Sequence, residues 1–557
     1  MDRPETSYEP EMNILSYAHG AIATPLLGET IGTRLRRSVD LFANQEALVS
    51  VHQGFRATYC GLWELTGLAA RGLMRKGIRK GDRVGIWSPN RYEWTVTQYA
   101  AARMGAILVN INPAYRPSEL QYALNQSRVR LLLLARKFRD TDYVELLSQV
   151  RTAIPHLEEA VVLDDDWAHL LEAGSQVPVA ELTEIEDSLQ FDEPISIQYT
   201  SGTTGQPKGA TLSHHNILNN GFFIGEALKY SAKDRVCLPV PLYHCFGMVA
   251  GNIACMSHGS CAVLPSEAFD ALATLQAVES ERCTSLYGVP TMFIGELDHP
   301  KFAEFNLATL RTGMMGGSPC PIEVMRRVQS KMHMREATIA YGMTETSPAL
   351  TVTAHDSPLE KRVTSVGRVL PHTEIKIVDP ATGKAVPRGT QGELCARGYV
   401  VMLGYWDNDA ATKTAIDSAR WIHTGDLATM DDEAYINIVG RIKDVIIRGG
   451  ENVYPREVEE FLYTHPNIAE VQVIGVPSEI YGEEVMAWVK VRGDTPLTSE
   501  QLSAYCQGRI AAYKIPRTWK FVNAFPMTIT GKVQKFRMRE IAIEELGLQQ
   551  AEKIKTA

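Results

Sequence analysis

From Gly81 the chain alternates short apolar runs with segments of helical period, and this alternation restricts its fold more than any other feature. Asp82–Trp87 reads as a strand, Arg91–Met104 as a helix and Ala106–Asn110 as a strand. A helix over Pro117–Asn125, an apolar run at Val129–Leu134, a helix over Asp140–Arg151 and a strand at Ala160–Leu163 follow. A second series places strands at Asp234–Pro239, Cys261–Leu264, Ser285–Tyr287, Arg311–Met315 and Ala337–Tyr341. Helices lie between them, as at Met248–Met256 and Pro321–Met332. Strands that alternate with helices predict parallel sheets covered on both faces. Two α/β halves therefore precede residue 345. Residues 1–55 read as a variable leading segment, and the acidic residues 164–194 as an irregular surface excursion.

The pattern changes at residues 362–440. Short strands at Glu374–Val378, Gly392–Ala396 and Ala434–Ile438, with turns such as Asp379-Pro380, suggest a small β-rich subdomain. After Gly440 the reading is a compact α+β unit. It has a helix at Arg456–Thr464, strands at Ala469–Val476 and Val485–Val491, and a helix at Ser499–Ala512. The expected fold is thus an α/β N-terminal domain, residues 1–440, followed by a small α+β C-terminal domain, residues 441–557.

A chain of 557 residues exceeds one ordinary core. A net charge of −9 leaves no basic excess for general nucleic-acid binding. Nine scattered cysteines without a C-x-x-C pair suggest free thiols in a reducing compartment. The acidic start MDRPETSYEP lacks the apolar centre of a secretory signal, and the end KIKTA is not a peroxisomal address. No apolar run is long enough for a membrane span. Cytoplasm is the expected location; loose membrane contact and a homo-oligomer both stay open.

Within the first domain, Tyr199–Ala210 reads YTSGTTGQPKGA. Glycines let backbone N–H groups approach a ligand, and successive N–H groups make an anion-binding concavity. Thr200, Ser201, Thr203 and Thr204 add hydroxyl donors, and Lys208 adds a positive charge. Phosphate is the ligand this composition suits. It is not a Walker A loop, because Lys208 follows Pro207 and precedes Gly209. A helix beginning near His214 is expected to turn its positive end toward the phosphate.

This loop resembles the phosphate loop of the adenylate-forming superfamily, which includes acyl-CoA synthetases, firefly luciferase and peptide-synthetase adenylation domains. Six further stretches occur in that superfamily's order: PLYHCFG at Pro241–Gly247, GGSP at Gly316–Pro319, YGMTETSP at Tyr341–Pro348, TGDL at Thr424–Leu427, GRIKD with RGGEN at Gly440–Asn452, and PMTITGKVQK at Pro526–Lys535. Each alone would be a common turn or a solvated side chain; their joint order carries the resemblance, over roughly residues 30 to 540.

The resemblance implies a role for each motif. Residues Thr200, Ser201, Gly202, Thr203, Thr204, Gly205, Gln206, Pro207 and Lys208 would hold the phosphates of ATP. His244 would gate the carboxylate side. Gly316, Gly317, Ser318, Tyr341 and Gly342 would enclose adenine, with Tyr341 stacked on it. Thr344 would contact phosphate, and Glu345 would hold Mg²⁺, which prefers hard oxygen ligands. Asp426 would accept both ribose hydroxyls, as two carboxylate oxygens permit. Arg441 would hold ribose or phosphate, Lys443 would be the hinge, and Gly450 would line the path of the CoA arm. Lys532 would serve the first half-reaction.

The implied activity is an ATP-dependent fatty acid–CoA ligase. A carboxylic acid attacks the α-phosphorus of ATP, pyrophosphate leaves, and the CoA thiol then takes the acyl group and releases AMP. The segments near the acyl position contain Phe246, Met248, Val289, Met292, Phe293 and Met314, without a charged partner for an amino acid. A medium- to long-chain acid is the expected substrate. An aryl acid–CoA ligase and an enzyme loading a carrier-protein phosphopantetheine stay open as alternatives.

Overall fold

The computed structural model describes residues 14–200, 207–318, 320–355, 357–493, 497–528 and 532–549. Two large sheets dominate the first 350 residues. One has seven strands, in the order Gly404–Tyr405, Lys208–Ser213, Pro194–Thr200, Ile107–Asn110, Arg83–Trp87, Leu131–Leu134 and Glu159–Val162. The last five run parallel. Leu131–Leu134 is apolar at every position because helices cover both faces, and all four residues are buried.

The second sheet has nine strands around a parallel centre. That centre runs Glu336–Gly342, Thr312–Gly316, Ser285–Gly288, Arg235–Cys237, Cys261–Leu264 and Glu46–Ser50. The leading segment is therefore structural: Glu46–Ser50 sits beside Cys261–Leu264, and Phe55–Thr58 closes the edge. Its remote partner lies more than two hundred residues later, so local pattern could not reveal the pairing.

Residues 164–194 are not irregular. They form helices Leu163–Ser175 and Val179–Ser188. Leu163, Trp167, Leu170 and Gly174 face inward at helical spacing. Asp164, Asp165 and Asp166 occupy the first turn, where negative charge favours the helix. Gly72 and Gly174 let this helix close on Tyr59–Arg75: a Cβ at Gly174 would lie 2.0 Å from the Leu68 carbonyl oxygen, and one at Gly72 would lie 2.3 Å from that of Leu170.

The third sheet is antiparallel: Tyr17–His19, Thr373–Val378, Gly392–Gly398, Ile422–Met430 and Ile436–Arg441. One apolar core runs through these sheets from Ile31 to Ile436. Separate apolar clusters begin at Ile446 and reach Ala542. There Ile468–Ser478 and Gly482–Val491 pair antiparallel, and the latter's free edge takes Thr518–Phe521 in parallel and, at Gly482, the hairpin Ile446–Arg448/Glu451–Val453.

Several boundaries differ from the sequence reading. The helix expected over Asp140–Arg151 is confined to Tyr143–Val150, because a short hairpin, Lys137–Phe138 with Thr141–Asp142, precedes it. The helix expected to reach Ala512 stops at Cys506, just before Gly508 in the left-handed region (φ 70°). The helix Lys535–Leu546 was not anticipated. No helix among the described residues is long and apolar enough to cross a membrane.

Candidate active site

The strand Pro194–Thr200 and the strand Lys208–Ser213 pair antiparallel, so the loop of Tyr199–Ala210 joins a hairpin. Its residues 201–206 lie outside the described residues; Thr200, Pro207 and Lys208 flank them. The helix His214–Ala227 does begin where expected, with Ser213 as N-cap. Its N-terminus does not face the loop, however. Ser213 pairs with Pro194 at the opposite end of the hairpin, about 17–20 Å from the loop at ~3.4 Å per residue. The expectation that this helix turns toward phosphate is thus incorrect, because a strand intervenes.

Glu345 stands opposite the loop on the single turn Thr344–Thr346. Its Oε1 accepts from Tyr405 Oη (2.9 Å) and from Thr200 Oγ1 (3.4 Å). Lys208 Nζ lies 5.2 Å from the centre of the Tyr405 ring. Tyr405 was missed in the sequence. It reaches the site because Gly404–Tyr405 adds to the edge of Lys208–Ser213, and no neighbouring residue announces that pairing. Glu345 is buried, and its carboxylate beside the Thr200 hydroxyl is the hard-oxygen donor set that suits Mg²⁺.

The ribose-side residues converge from two sheets. Asp426 Oδ2 accepts from Tyr341 Oη at 2.7 Å, and its Oδ1 lies 3.3 Å from Arg441 Nε. Asp426 and Arg441 are direct partners across antiparallel strands. Burial raises the Asp426 pKa, against the pull of Arg441. The stretch Thr424–Asp426 breaks the register of its strand, since Glu393 faces Leu427 while Cys395 faces His423. Thr424 Oγ1 donates to the Leu394 carbonyl, and Gly425 N–H donates to Glu393 Oε1. The break frees Asp426 from the pairing with Gly392–Gly398 while it stays opposite Arg441, and its side chain meets Tyr341.

The glycines mark close approach of backbone. A Cβ at Gly342 would sit 1.9 Å from the Pro348 carbonyl oxygen, and one at Gly316 would sit 2.9 Å from that of Ala340. Gly317 adopts φ 84°, and a Cβ there would sit 3.4 Å from Lys532 Cε and 3.3 Å from Val289 Cγ1. Ser318 follows directly at the mouth of the strand Thr312–Gly316.

Lys532 therefore enters the site from the C-terminal unit and passes over Gly317. Its backbone closes a turn, donating from N–H to Thr528 Oγ1 (3.1 Å) and accepting at O from Thr528 N–H (2.8 Å). Burial lowers the Lys532 pKa, with Cys245 and Arg441 acting in opposite senses and Glu345 and Asp426 favouring the ammonium. His244 Nδ1 accepts from Phe246 N–H at 3.2 Å. Burial, reinforced by Lys532, pushes the His244 imidazole down to about 3. It is thus neutral in ordinary buffers. Beside it, Cys245 lies with Sγ 3.7 Å from Thr344 Oγ1 and 3.7 Å from His244 Nδ1.

The helix expected at Met248–Met256 begins as a π-helix, Phe246–Ile253, and only then becomes α-helical over Ala254–His258. Its carbonyls at Met248, Ala250 and Asn252 accept from Gln98 Nε2, Tyr287 Oη and Tyr99 Oη. Such wide turns are rare and gather at functional sites. Phe246 stacks on Tyr287 at 5.5 Å, giving the site an apolar wall.

Two predicted residues stand apart. Lys443 lies exposed on the single turn Ile442–Asp444, between the third and fourth sheets. Gly450 lies at the tip of the hairpin Ile446–Arg448/Glu451–Val453, with φ 89° and open space around any added Cβ. It belongs to no part of the assembled constellation.

Residues 35–406 match the family described as AMP-binding enzyme, and residues 457–532 match the AMP-binding enzyme C-terminal domain. The mitochondrial medium-chain acyl-CoA ligase of Danio rerio is 44% identical over 554 residues, covering 96% of this chain and 91% of that protein. A putative acyl-CoA synthetase of Bacillus subtilis is 46% identical, covering 94% and 99% of the two chains. Among solved structures, an anthranilate CoA ligase in complex with anthranoyl-AMP superposes with a TM-score of 0.85 at 26% identity, covering 94% of this chain and 99% of that one. ATP-bound MatB from Rhodopseudomonas palustris gives 0.82 at 28% identity, covering 93% and 99%. The chain belongs to the AMP-binding enzyme family.

Proposed function

We propose that this protein is an AMP-forming ligase that activates a medium-chain carboxylic acid with ATP and passes the acyl group to CoA. The observation that carries the reading is the convergence of Tyr341, Glu345, Asp426 and Arg441 from two sheets, and of Lys532 from a turn of the C-terminal unit, onto the flanks of the phosphate loop. The similarity to acyl-CoA ligases over almost the whole chain supports the choice of reaction.

In the first step the acid's carboxylate attacks the α-phosphorus of ATP and pyrophosphate leaves, forming an acyl-adenylate. Two anions meet, so catalysis comes chiefly from alignment and charge neutralisation. Lys532 supplies a cation already stripped of water, which strengthens its pull on developing negative charge. Thr200 and Lys208, with Ser201, Gly202, Thr203, Thr204, Gly205 and Gln206 of the loop, hold the leaving pyrophosphate. Asp426 receives the ribose hydroxyls, oriented by Tyr341 and Arg441. Tyr341, Gly316, Gly317, Ser318 and Gly342 enclose the base. Mg²⁺, when bound, would supply charge neutralisation at the phosphates; Glu345, with the Thr200 hydroxyl beside it, would hold it, and Thr344 would contact phosphate.

In the second step the CoA thiol attacks the acyl carbon and AMP leaves. Lys532 is then unnecessary, and Gly450 provides a backbone past which the thiol arm can run. The unit after residue 440 would rotate about Lys443 to exchange the two. Neutral His244 would act as a positioned polar gate for the acid. Phe246, Met248, Val289 and Met314 would line the chain of the acid; each buried CH₂ contributes about 0.8 kcal/mol, so pocket depth sorts chain lengths. Free buried thiols fit the expected cytoplasmic location.

The test is pyrophosphate release across a panel of aliphatic and aryl acids, with and without CoA. Release that is greatest with medium-chain acids, together with CoA consumption, is expected. Release without CoA consumption would point to a carrier-protein acceptor, and no release with any acid would overturn the reading.

A further inference from the structure

The ribose turn rests on a group of side chains that the reaction does not use. Glu393 and Cys395 lie two apart on the strand Gly392–Gly398, so both point to one face. His423, on Ile422–Met430, is the direct cross-strand partner of Cys395. His423 Nδ1 lies 2.9 Å from Glu393 Oε2 and 3.5 Å from Cys395 Sγ. All three donor atoms lie within 4.8 Å of one another.

We propose that Glu393, Cys395 and His423 form a binding site for one divalent cation of the zinc class, separate from the nucleotide's Mg²⁺ site. Thiolate, imidazole and carboxylate together are a zinc-type donor set, whereas Mg²⁺ and Ca²⁺ take oxygen alone. Four tetrahedral ligands at ~2.0–2.3 Å from zinc sit roughly 3.3–3.7 Å apart. The Cys395–His423 separation of 3.5 Å already falls in that range. The Glu393–His423 contact of 2.9 Å must open only by a few tenths of an ångström.

Two further features fit. Asp417 Oδ2 lies 3.9 Å from His423 Nε2, on the ring's far side. Ligating histidines commonly give their second N–H to a carboxylate, which sets the tautomer and raises ligand basicity. In addition, the site is open on one side: the His423 side chain is 34% exposed, while Cys395 is fully buried. A water can thus complete the fourth position. A thiol binds the metal as thiolate, so binding releases the Cys395 proton to solvent as the thiolate–metal bond forms.

The site also connects to the nucleotide. Glu393 uses its other oxygen, Oε1, to accept from Gly425 N–H at 3.1 Å, directly before Asp426. A cation bound at Glu393 Oε2 moves that oxygen away from His423 Nδ1 and so disturbs the Oε1 contact with Gly425, in the turn that presents Asp426. Occupancy therefore weakens ATP binding, and in this respect alone the inference rests on the proposed ligase reading.

Titration of the full chain with Co²⁺ alone tests the site. A thiolate-to-cobalt charge-transfer band of one-to-one stoichiometry is expected, reversed by Zn²⁺. It should vanish in Cys395→Ser, and His423→Gln should weaken the metal by more than the ~10- to 100-fold that loss of a ligand's hydrogen-bond partner alone costs. His423 is part-exposed, so that variant tests the site even where the cysteine variant folds poorly. Absence of the band in the native chain, or a band unchanged in Cys395→Ser, would overturn the site. Zn²⁺ should raise KM for ATP in the native chain and not in His423→Gln; an equal rise in both overturns the coupling to Asp426.

Discussion

Two turns of the C-terminal unit make opposite uses of the same small scaffold. The turn ending at Lys532 lies in the active site, over Gly317 and among Glu345, Asp426 and Arg441. The turn carrying Gly449 and Gly450 faces solvent, beside the exposed apolar side chains Ile447, Ile480 and Tyr481. Lysine at the first turn is a charge whose pKa burial has lowered. Glycines at the second occupy the left-handed region (φ 59° and 89°), which a two-residue hairpin of this kind demands. On the proposed reading, one turn would offer charge to phosphate, and the other would offer bare backbone and an apolar rim to a long thiol arm. The difference suggests a division of labour between half-reactions, carried by one unit that cannot present both turns at once.

The sharpest way to break this comparison is Lys532→Ala. Adenylate formation should fall by roughly 10²–10³-fold, the usual cost of losing one preorganised group that stabilises a transition state. Thioester synthesis from supplied acyl-adenylate should be retained. Pyrophosphate release and CoA consumption, measured separately, check both halves; equal loss of the two would end the division. Gly450→Val should do the reverse. A β-branched residue is strained at positive φ, and it would intrude on the thiol path. Single-turnover thioester formation should slow about 10- to 100-fold, the range that a small misplacement can produce, with pyrophosphate release little changed.

Asp426→Asn should raise KM for ATP about tenfold, because one charge-assisted hydrogen bond of ~1.4 kcal/mol is lost. Tyr341 and Arg441 would remain to hold the amide. Both half-reactions should be affected, since AMP stays bound through the second, and an effect confined to the first would be the wrong outcome.

The pH dependence separates free and occupied states. The folded pKa of Lys532 lies below its ordinary 10.5 because the ammonium is desolvated. As pH rises through that lowered value, the free enzyme loses the cation and kcat/KM for ATP falls. Bound phosphate favours the charged form, so the fall in kcat should come at higher pH. Coincident limbs would assign the titration to another group. The smallest effect concerns His244. It titrates near 3, so His244→Phe should change KM for the acid and leave the acidic limb of the profile between pH 5 and 8 where it was. A displaced limb would restore a proton-transfer role.

Much of the framework was legible from sequence. Parallel central strands must be apolar on both faces, and Leu131–Leu134 or Ser285–Gly288 announce themselves by composition. The motif segments were legible through their joint order, and the structure brings several of them together, as Gly317 beside Lys532 and Asp426 beside Tyr341 illustrate. Helices Leu163–Ser175 and Val179–Ser188 were misread, because acidic residues obscured a true inward stripe.

Chain order alone thus determined the two α/β halves and the β-rich subdomain, since these depend on local periodicity; the proposed phosphate, ribose and lysine groups came from the order of motifs that resembles a family's. Tertiary structure decided which of them meet. It brought Tyr405 to Glu345 through a sheet edge, turned the His214–Ala227 helix away from the loop, and set Lys532 inside while leaving Gly450 outside. It also joined Glu393, Cys395 and His423 across two strands. Those outcomes depend on strand register and on contacts between residues tens to hundreds of positions apart, which no local pattern encodes.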